Sequence, residues 1–427
     1  MRHVKAGPTI SCTALSLGNT SNPYPYEIRQ PAAEHGLLPR LTDTLIRKCL
    51  DTLPNGKALG EDGASNELLK ALPEQLKQVL YEYVRFCWRA GGKMPTEWSH
   101  SRTLLIHKKG DATDPANYRP IGIHSCVYKL YSKAITRVIQ DYLEQHRVLS
   151  SCHFGFGQHQ SVNQALRYLK RVLEDAEWTS RDLYMLAVDF RSAFNSVDQE
   201  RLYATMETMG ILADACQAVK GIYRDASTVI TLPGGQTNPI PVNRGTIQGD
   251  TLSPLLFLVA IDPLLRWLQQ GGHGYWCGSS PAEDQHSCAA IAYADDLTIL
   301  TDDIIEMKTQ VKKIELFSQW SSLRLSPRKC ALTGILHKTA KVLRKADKQR
   351  NESPTDWERL QPILQDVLID GHPVTLKRAD EPIKYPGVLL TMTQSWDHQV
   401  AEMVADMTRN YELLNRTQLG QAHKATE

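Results

Sequence analysis

Apolar positions recur at helical spacing through the first part of the chain. LTDTLIRKCLDTL places polar capping residues before an apolar stripe. In EQLKQVLYEYVRFCWRAGG, Leu76, Val79, Leu80, Tyr83, Val84 and Cys87 share one predicted core-facing stripe, and Gly91–Gly92 supply a stop. SVNQALRYLKRVLEDAEW repeats the pattern with Val162, Ala165, Leu166, Leu169, Val172 and Leu173. After Trp178 the period changes. LYMLAV (183–188) reads as a buried strand ending at Asp189, and STVITL (227–232) is a second strand candidate before a PGG turn. SPLLFLVAIDPLLRWLQQ is a strongly apolar helix starting near Ser253, with Pro254 suited to its first turn. AAIAY, two aspartates and LTILT predict a hairpin turning at Asp295–Asp296. DIIEMKTQVKKIELFSQWSSL is a further amphipathic helix, and LSPRKCALTGI returns to the sheet. Strand, helix, strand–strand, helix, strand is the order of a split βαβ unit, which makes the fold class α+β.

Composition narrows the class. The 427 residues are 42% hydrophobic and 22% charged, as in globular proteins, and suffice for two or three domains. No eighteen-residue uninterrupted apolar run is present, so no membrane span is expected, and the N-terminus lacks the apolar core of a secretory signal. Nine scattered cysteines without a CxxC pair read as reduced thiols inside a cell. Residues 1–36 read as an irregular leader rich in Pro, Ser, Gly and Asn. A net charge of +2 neither excludes nor indicates a nucleic-acid partner, because a basic channel can be offset elsewhere. One run, KTAKVLRKADKQR from Lys338 to Arg350, carries six basic residues against one acid. A solvated helix face and a phosphate-binding surface explain it equally well.

The candidate chemistry lies in carboxylates. Adjacent aspartates in an apolar strand would send one carboxylate into the core, a cost of about several kcal/mol without a cation or a turn. Asp189 closes one strand, and Asp295 and Asp296 sit at the hairpin tip. A split βαβ sheet can make these neighbours. Three close carboxylates repel unless a cation joins them, and hard oxygen ligands suit Mg²⁺. Two such ions about 3.5–4 Å apart clamp an in-line phosphoryl displacement. An isolated DD pair, by contrast, is usually a solvated turn.

The surrounding blocks change that balance. AVDFRSAFNSVDQERL, RGTIQGDTLSPLLFLVAIDPLL and IAYADDLTIL, in that order, resemble the central palm motifs of reverse transcriptases of the non-LTR (LINE-type) retrotransposon family, related to those of group II introns. KALGEDGASNELLK and RTLLIHKKGDATDPANYRPIGIHSCVYKLYSKAITRVI resemble its finger motifs, and HRVLSSCHFGFGQHQSVNQAL its segment leading into the palm. LRLSPRKCALTGI and IKYPGVLL resemble its fourth palm motif and primer grip. The resemblance covers about Leu53 to Leu390. It implies a right-hand polymerase with helical fingers (37–180), a ferredoxin-like palm (181–336), and a 337–427 segment with the primer grip and a short or incomplete thumb. The implied activity is RNA-directed DNA polymerase, a nucleotidyltransferase using an RNA template, a DNA primer, dNTPs and two Mg²⁺ ions, with Mn²⁺ as an alternative. Asp189, Asp295 and Asp296 resemble the catalytic metal ligands, joined by the backbone carbonyl of Phe190. Phe194 matches the steric gate against a ribose 2′-hydroxyl. Gln248 and Gly249 resemble the lining of the templating pair and incoming nucleotide. Lys108 and Arg119 resemble the residues that meet the triphosphate, and Lys329 a proton donor to pyrophosphate. Nuclear location and a partner chain or further segment supplying thumb and endonuclease are implied by the same resemblance.

Four positions depart from the family pattern: Asn195, Gly157, Ser326 and Pro386. Asn195, Gly157 and Pro386, with the short thumb, support a competing expectation, an impaired retroelement remnant or RNA-binding scaffold. An RNA-directed RNA polymerase is disfavoured by Phe194, because such an enzyme must accept ribose. His273, Cys277, His286 and Cys288 precede the hairpin, but their spacing fits no standard zinc finger.

Overall fold

The computed structural model describes residues 36–91, 94–108, 110–155, 160–232, 234–278, 286–350, 355–385 and 388–416. The expected leader, apart from Gly36, lies outside them, as do Gly157 and Pro386. The chain forms two compact units that it enters more than once. The first is drawn from Met1–His159, Arg191–Trp267 and Leu316–Arg324, the second from Gln160–Phe190, Leu268–Glu315 and Leu325–Glu427.

The first unit combines helices with a mixed sheet. Its core is aromatic: Tyr81 and Trp88 of the Glu74–Arg89 helix and Tyr128, Tyr131 and Tyr142 of the Cys126–Gln145 helix are almost fully buried. The second of these helices starts where Ser125 accepts a hydrogen bond from Tyr128 N–H, satisfying one orphan donor of the first turn. The first stops where Gly91 takes a left-handed φ of 66°, as the glycine pair predicts. Its stripe needs correction. Leu80, Val84 and Cys87 face the core with Tyr81 and Trp88, whereas Leu76, Val79 and Tyr83 are exposed. The bulky Tyr81 and Trp88 rotate the buried face away from the stripe that aliphatic spacing alone suggests. The Ser227–Leu232 strand lies in this unit's sheet. It runs parallel to His100–His107, which pairs antiparallel with Tyr118–Ile123 on its other side.

The second unit holds the split βαβ sheet. Its strand order is Thr375–Leu376, Ala331–Ile335, Leu183–Val188, Asp296–Thr301, Ala290–Tyr293. Leu183–Val188 is central, with antiparallel partners on both sides, and is buried at five of its six positions. That central position explains its unbroken apolar run. The Val162–Thr179 helix packs against the sheet edge behind a capping box made by Ser161 and Gln164. The Leu252–Gln269 helix, which belongs to the first unit as far as Trp267, begins as expected and carries Pro254 in its first turn. Its length and composition would also allow a membrane crossing, but 78% of it is buried, as in a core helix.

Candidate active site

Asp189 follows the last residue of the central strand. Beside it, Leu297 pairs with Val188 in antiparallel register, so Asp296 and Asp189 are the residues that follow the last registered pair. The hairpin closes on the Tyr293–Asp296 pair, leaving Ala294 and Asp295 as a two-residue loop. The turn is therefore one residue earlier than the sequence suggests. Ala294 takes the left-handed φ of 54° that such a loop demands at its first position. This geometry resolves the tension of the aspartate pair. Asp295 is on the loop and Asp296 starts the strand, so neither is threaded through the core.

Burial dominates the electrostatics. It pushes the Asp189 carboxyl above its ordinary range; Lys329 opposes the shift, Asp295 adds to it, and Lys384 opposes it. Burial also raises Asp296, reinforced by Asp295 and then Asp189, with Lys384 opposing. Oδ1 of Asp189 is buried with no hydrogen-bond partner among the described residues. An orphaned carboxylate oxygen beside two further carboxylates is the donor set that a hard divalent cation satisfies. Among the described residues, however, no three His, Cys, Asp or Glu side chains form a ready-made metal cage. Mg²⁺ does not require one, because it is bound through one or two carboxylates with water and substrate phosphate completing its octahedron.

The backbone around Asp189 is well supported. Its N–H donates to Cys330 Sγ at 3.4 Å, and its carbonyl accepts from Ser326 N–H at 2.9 Å. Phe190 is buried and bridges to Leu325; its own carbonyl is not an acceptor in that pairing. The Ser326 departure is thus benign for this contact, which uses only the backbone. Lys329 is exposed near Asp189, as the fourth palm motif implies. Lys384 was missed. It lies in the Ile383–Tyr385 strand between buried Ile383 and Tyr385, and strand alternation turns it outward toward the carboxylates. That alternation in IKY was the available signal.

The remaining predicted residues belong to the first unit. Phe194 stacks on Phe257 with ring centroids 4.6 Å apart. Its carbonyl accepts from Thr246 N–H at 2.8 Å, tying it to the RGTIQGD turn. Gly245 in that turn has φ 78°, and a Cβ there would come within 2.6 Å of the Asn195 backbone. Only glycine meets both conditions. Gln248 accepts through its carbonyl from Gly122 N–H at 2.7 Å, and its Oε1 is buried without a partner among the described residues. At Gly249, φ is 102° and a Cβ would meet the Gly122 carbonyl at 2.8 Å. Below the turn, buried Asp250 accepts from Tyr128 Oη at 2.8 Å and from Ser132 Oγ. Lys108 and Arg119 are both exposed near the loop end of the His100–His107 and Tyr118–Ile123 hairpin. Lys108 N–H donates to the Asn117 carbonyl, which brackets the loop between them. A separate cavity of about 860 Å³, lined by Gly36, Arg40, Trp88, Arg89 and Asp214 among others, contains none of these residues.

Comparison with known proteins agrees with the motif order. The family model described as reverse transcriptase (RNA-dependent DNA polymerase) matches residues 106–390. A retrovirus-related Pol polyprotein from the type-1 retrotransposable element R2 of Popillia japonica is 28% identical over 240 residues, covering 56% of this chain and 32% of that protein. Its counterpart from Nasonia vitripennis is 26% identical, covering 64% and 25%. A probable RNA-directed DNA polymerase from transposon BS of Drosophila melanogaster is 28% identical, covering 50% and 24%. The chain thus spans about a quarter to a third of the length of these curated relatives. A solved telomerase from Candida tropicalis, in complex with a fragment of telomeric RNA, is similar at a TM-score of 0.41 and 13% identity. That likeness covers 60% of this chain and 44% of that one, and at this level it carries no argument.

Proposed function

This chain belongs to the reverse transcriptase family, in its non-LTR branch, and on that premise we propose that it extends a DNA 3′-hydroxyl on an RNA template. The supporting observation is the carboxylate group itself: Asp296 and Asp189 just past the last pair of their strands, Asp295 on the hairpin loop, and an Asp189 oxygen without a partner among the described residues. Asp189, Asp295 and Asp296 would hold two Mg²⁺ ions, with the Phe190 carbonyl as a further ligand. Bound Mg²⁺ supplies activation of the attacking hydroxyl and neutralises charge on the transferring phosphate. In the reaction the primer 3′-oxygen bonds to the α-phosphorus of a dNTP, and the bond to the β-phosphate oxygen breaks to release pyrophosphate.

The side chains divide the remaining tasks. Lys108 acts as a point charge and Arg119 as a planar fork for the triphosphate. Lys329 gives a proton to the leaving pyrophosphate. Phe194, held flat by Phe257, closes the space a ribose 2′-hydroxyl would need. Gln248 and Gly249 line the nascent pair, where the absence of a side chain at Gly249 permits close approach.

The test is primer extension by the purified chain on an RNA template with a DNA primer, dNTPs and Mg²⁺. Extension by the native chain that disappears in Asp295→Ala is expected. A folded chain that shows none, with Mn²⁺ also tried, overturns the proposal and favours an RNA-binding remnant.

A further inference from the structure

The second unit carries another surface at the far end of its central strand. Leu183–Val188 leads to Asp189 at one end and is preceded by Asp182 at the other. Six residues of strand separate the two ends by roughly 20 Å. Asp182 accepts hydrogen bonds from Lys338 N–H at 2.9 Å and Thr339 N–H at 3.1 Å, docking the start of the Lys338–Arg350 helix there. His337 Nε2, just before that helix, lies 3.2 Å from Glu177 Oε2 near the end of the Val162–Thr179 helix. The start of the Lys338–Arg350 helix and the end of the Val162–Thr179 helix are thereby brought together.

On the first, Lys338, Lys341 and Lys345 fall on one face with exposed Val342. All three lysines are exposed, and none forms an ion pair among the described residues. Asp302 lies close enough to Lys338 for the charge to be felt, without pairing. The acids of this region are engaged elsewhere. Asp347 is taken by Arg359 at 2.5 Å, and Asp356 by Arg359 and Arg344. The lysine face therefore keeps its full charge. On the second helix, Arg167, Arg171 and Trp178 share a face. Both arginines are exposed and unpaired among the described residues, while Glu174 on the same face is matched by Lys170. Trp178 is 89% exposed. An indole left this open gains nothing from the fold, and its flat face is available to a ligand.

We propose that this patch is a second nucleic-acid surface, distinct from the polymerase centre, which holds a single-stranded RNA segment. A base stacks on Trp178 while the lysines and arginines take phosphates. A flat aromatic among unpaired cations is the chemistry of single-strand binding: each base offers a π-face and each phosphate a charge. A protein partner would call for a larger continuous apolar area than one indole and one valine supply. The surface requires no catalysis, so its fate and that of the polymerase reading are separable.

The experiment measures binding of a short, unstructured, fluorescently labelled oligoribonucleotide to the full chain across a salt series. Trp178→Ala is expected to weaken binding about 5- to 150-fold, the range for loss of one stacked base, with Trp178→Phe in between. The triple variant Lys338→Ala, Lys341→Ala, Lys345→Ala should lower the slope of log affinity against log salt by about 2. Thermal melting checks that all variants fold. Primer extension on a short primer–template, where the native chain supports it, should be unchanged. RNA affinity and salt slope that match the native chain in folded variants overturn the proposal and leave the patch to another class of partner.

Discussion

Replacing Asp296 with asparagine should stabilise the metal-free chain while removing its response to Mg²⁺. Asp296 follows Asp295 in the chain and lies one step past the Leu297–Val188 pair, within reach of the charges of Asp295 and then Asp189, and neighbouring side chains on one sheet face sit about 5 Å apart. Two negative charges at about that separation repel by about 3 kcal/mol at an effective dielectric of about 20. Both side chains are only partly buried, and solvent screening reduces this to about 1–2 kcal/mol. Folding raises both carboxyls above 3.8, so the folded chain retains protons that the unfolded chain releases. Their contribution to stability is fully present below 3.8 and is lost as pH climbs through the raised values. Near neutral pH the ionised pair is therefore a net burden, and the neutral amide relieves it. For 427 residues melting together, the relief amounts to about 1–2 °C, and more if the units melt separately. Mg²⁺ at ten times its dissociation constant should stabilise the native chain by about 1.4 kcal/mol and the variant by much less. Differential scanning calorimetry of both proteins, with chelator and with Mg²⁺, measures each arm. An Asp296→Asn chain that melts lower than the native one without metal, or gains as much from Mg²⁺, refutes the reasoning.

Two shorter predictions use the first unit. Phe194→Val removes the ring stacked on Phe257 and should raise incorporation of rNTPs relative to dNTPs by about tenfold or more, about 1.4 kcal/mol of lost discrimination; the ratio of single-nucleotide kcat/KM values reads it. Tyr128→Phe leaves one oxygen of buried Asp250 without its 2.8 Å donor and should cost about 1–3 kcal/mol, measured by denaturant unfolding.

Local signals were legible where the period was local. The helix stop at Gly91, the start of Leu252–Gln269 and the Ala290–Thr301 hairpin all follow from capping, proline and turn chemistry within a few residues. The ordered blocks around Asp189, Gln248 and Asp295 likewise led to the family that the comparison assigns. Spacing erred where bulk competes with spacing. In Glu74–Arg89 the predicted stripe is partly exposed because the bulky Tyr81 and Trp88, which lie off it, claim the core. Lys384 escaped notice because the alternation of IKY shows only that its side chain turns outward, and which carboxylates it then meets depends on residues far along the chain.

The sequence by itself determined that three aspartates, a gate-like phenylalanine and a glycine-rich turn are present in a particular order, and that the fold mixes helices with a split βαβ sheet. Only the tertiary structure decided that Ser227–Leu232 joins the sheet of the other unit, that the hairpin turns one residue earlier than the DD pair suggests, and that Leu297 pairs with Val188 to bring the carboxylates to one strand end. It also decided that the lysines of 338–345 face solvent without an ion pair among the described residues, a choice that charge counting left open. The physical reason is range. Propensity, capping and turn geometry act over a few residues and are written in the chain, whereas strand partners and ion pairs join residues many positions apart and depend on which buried surfaces fit together.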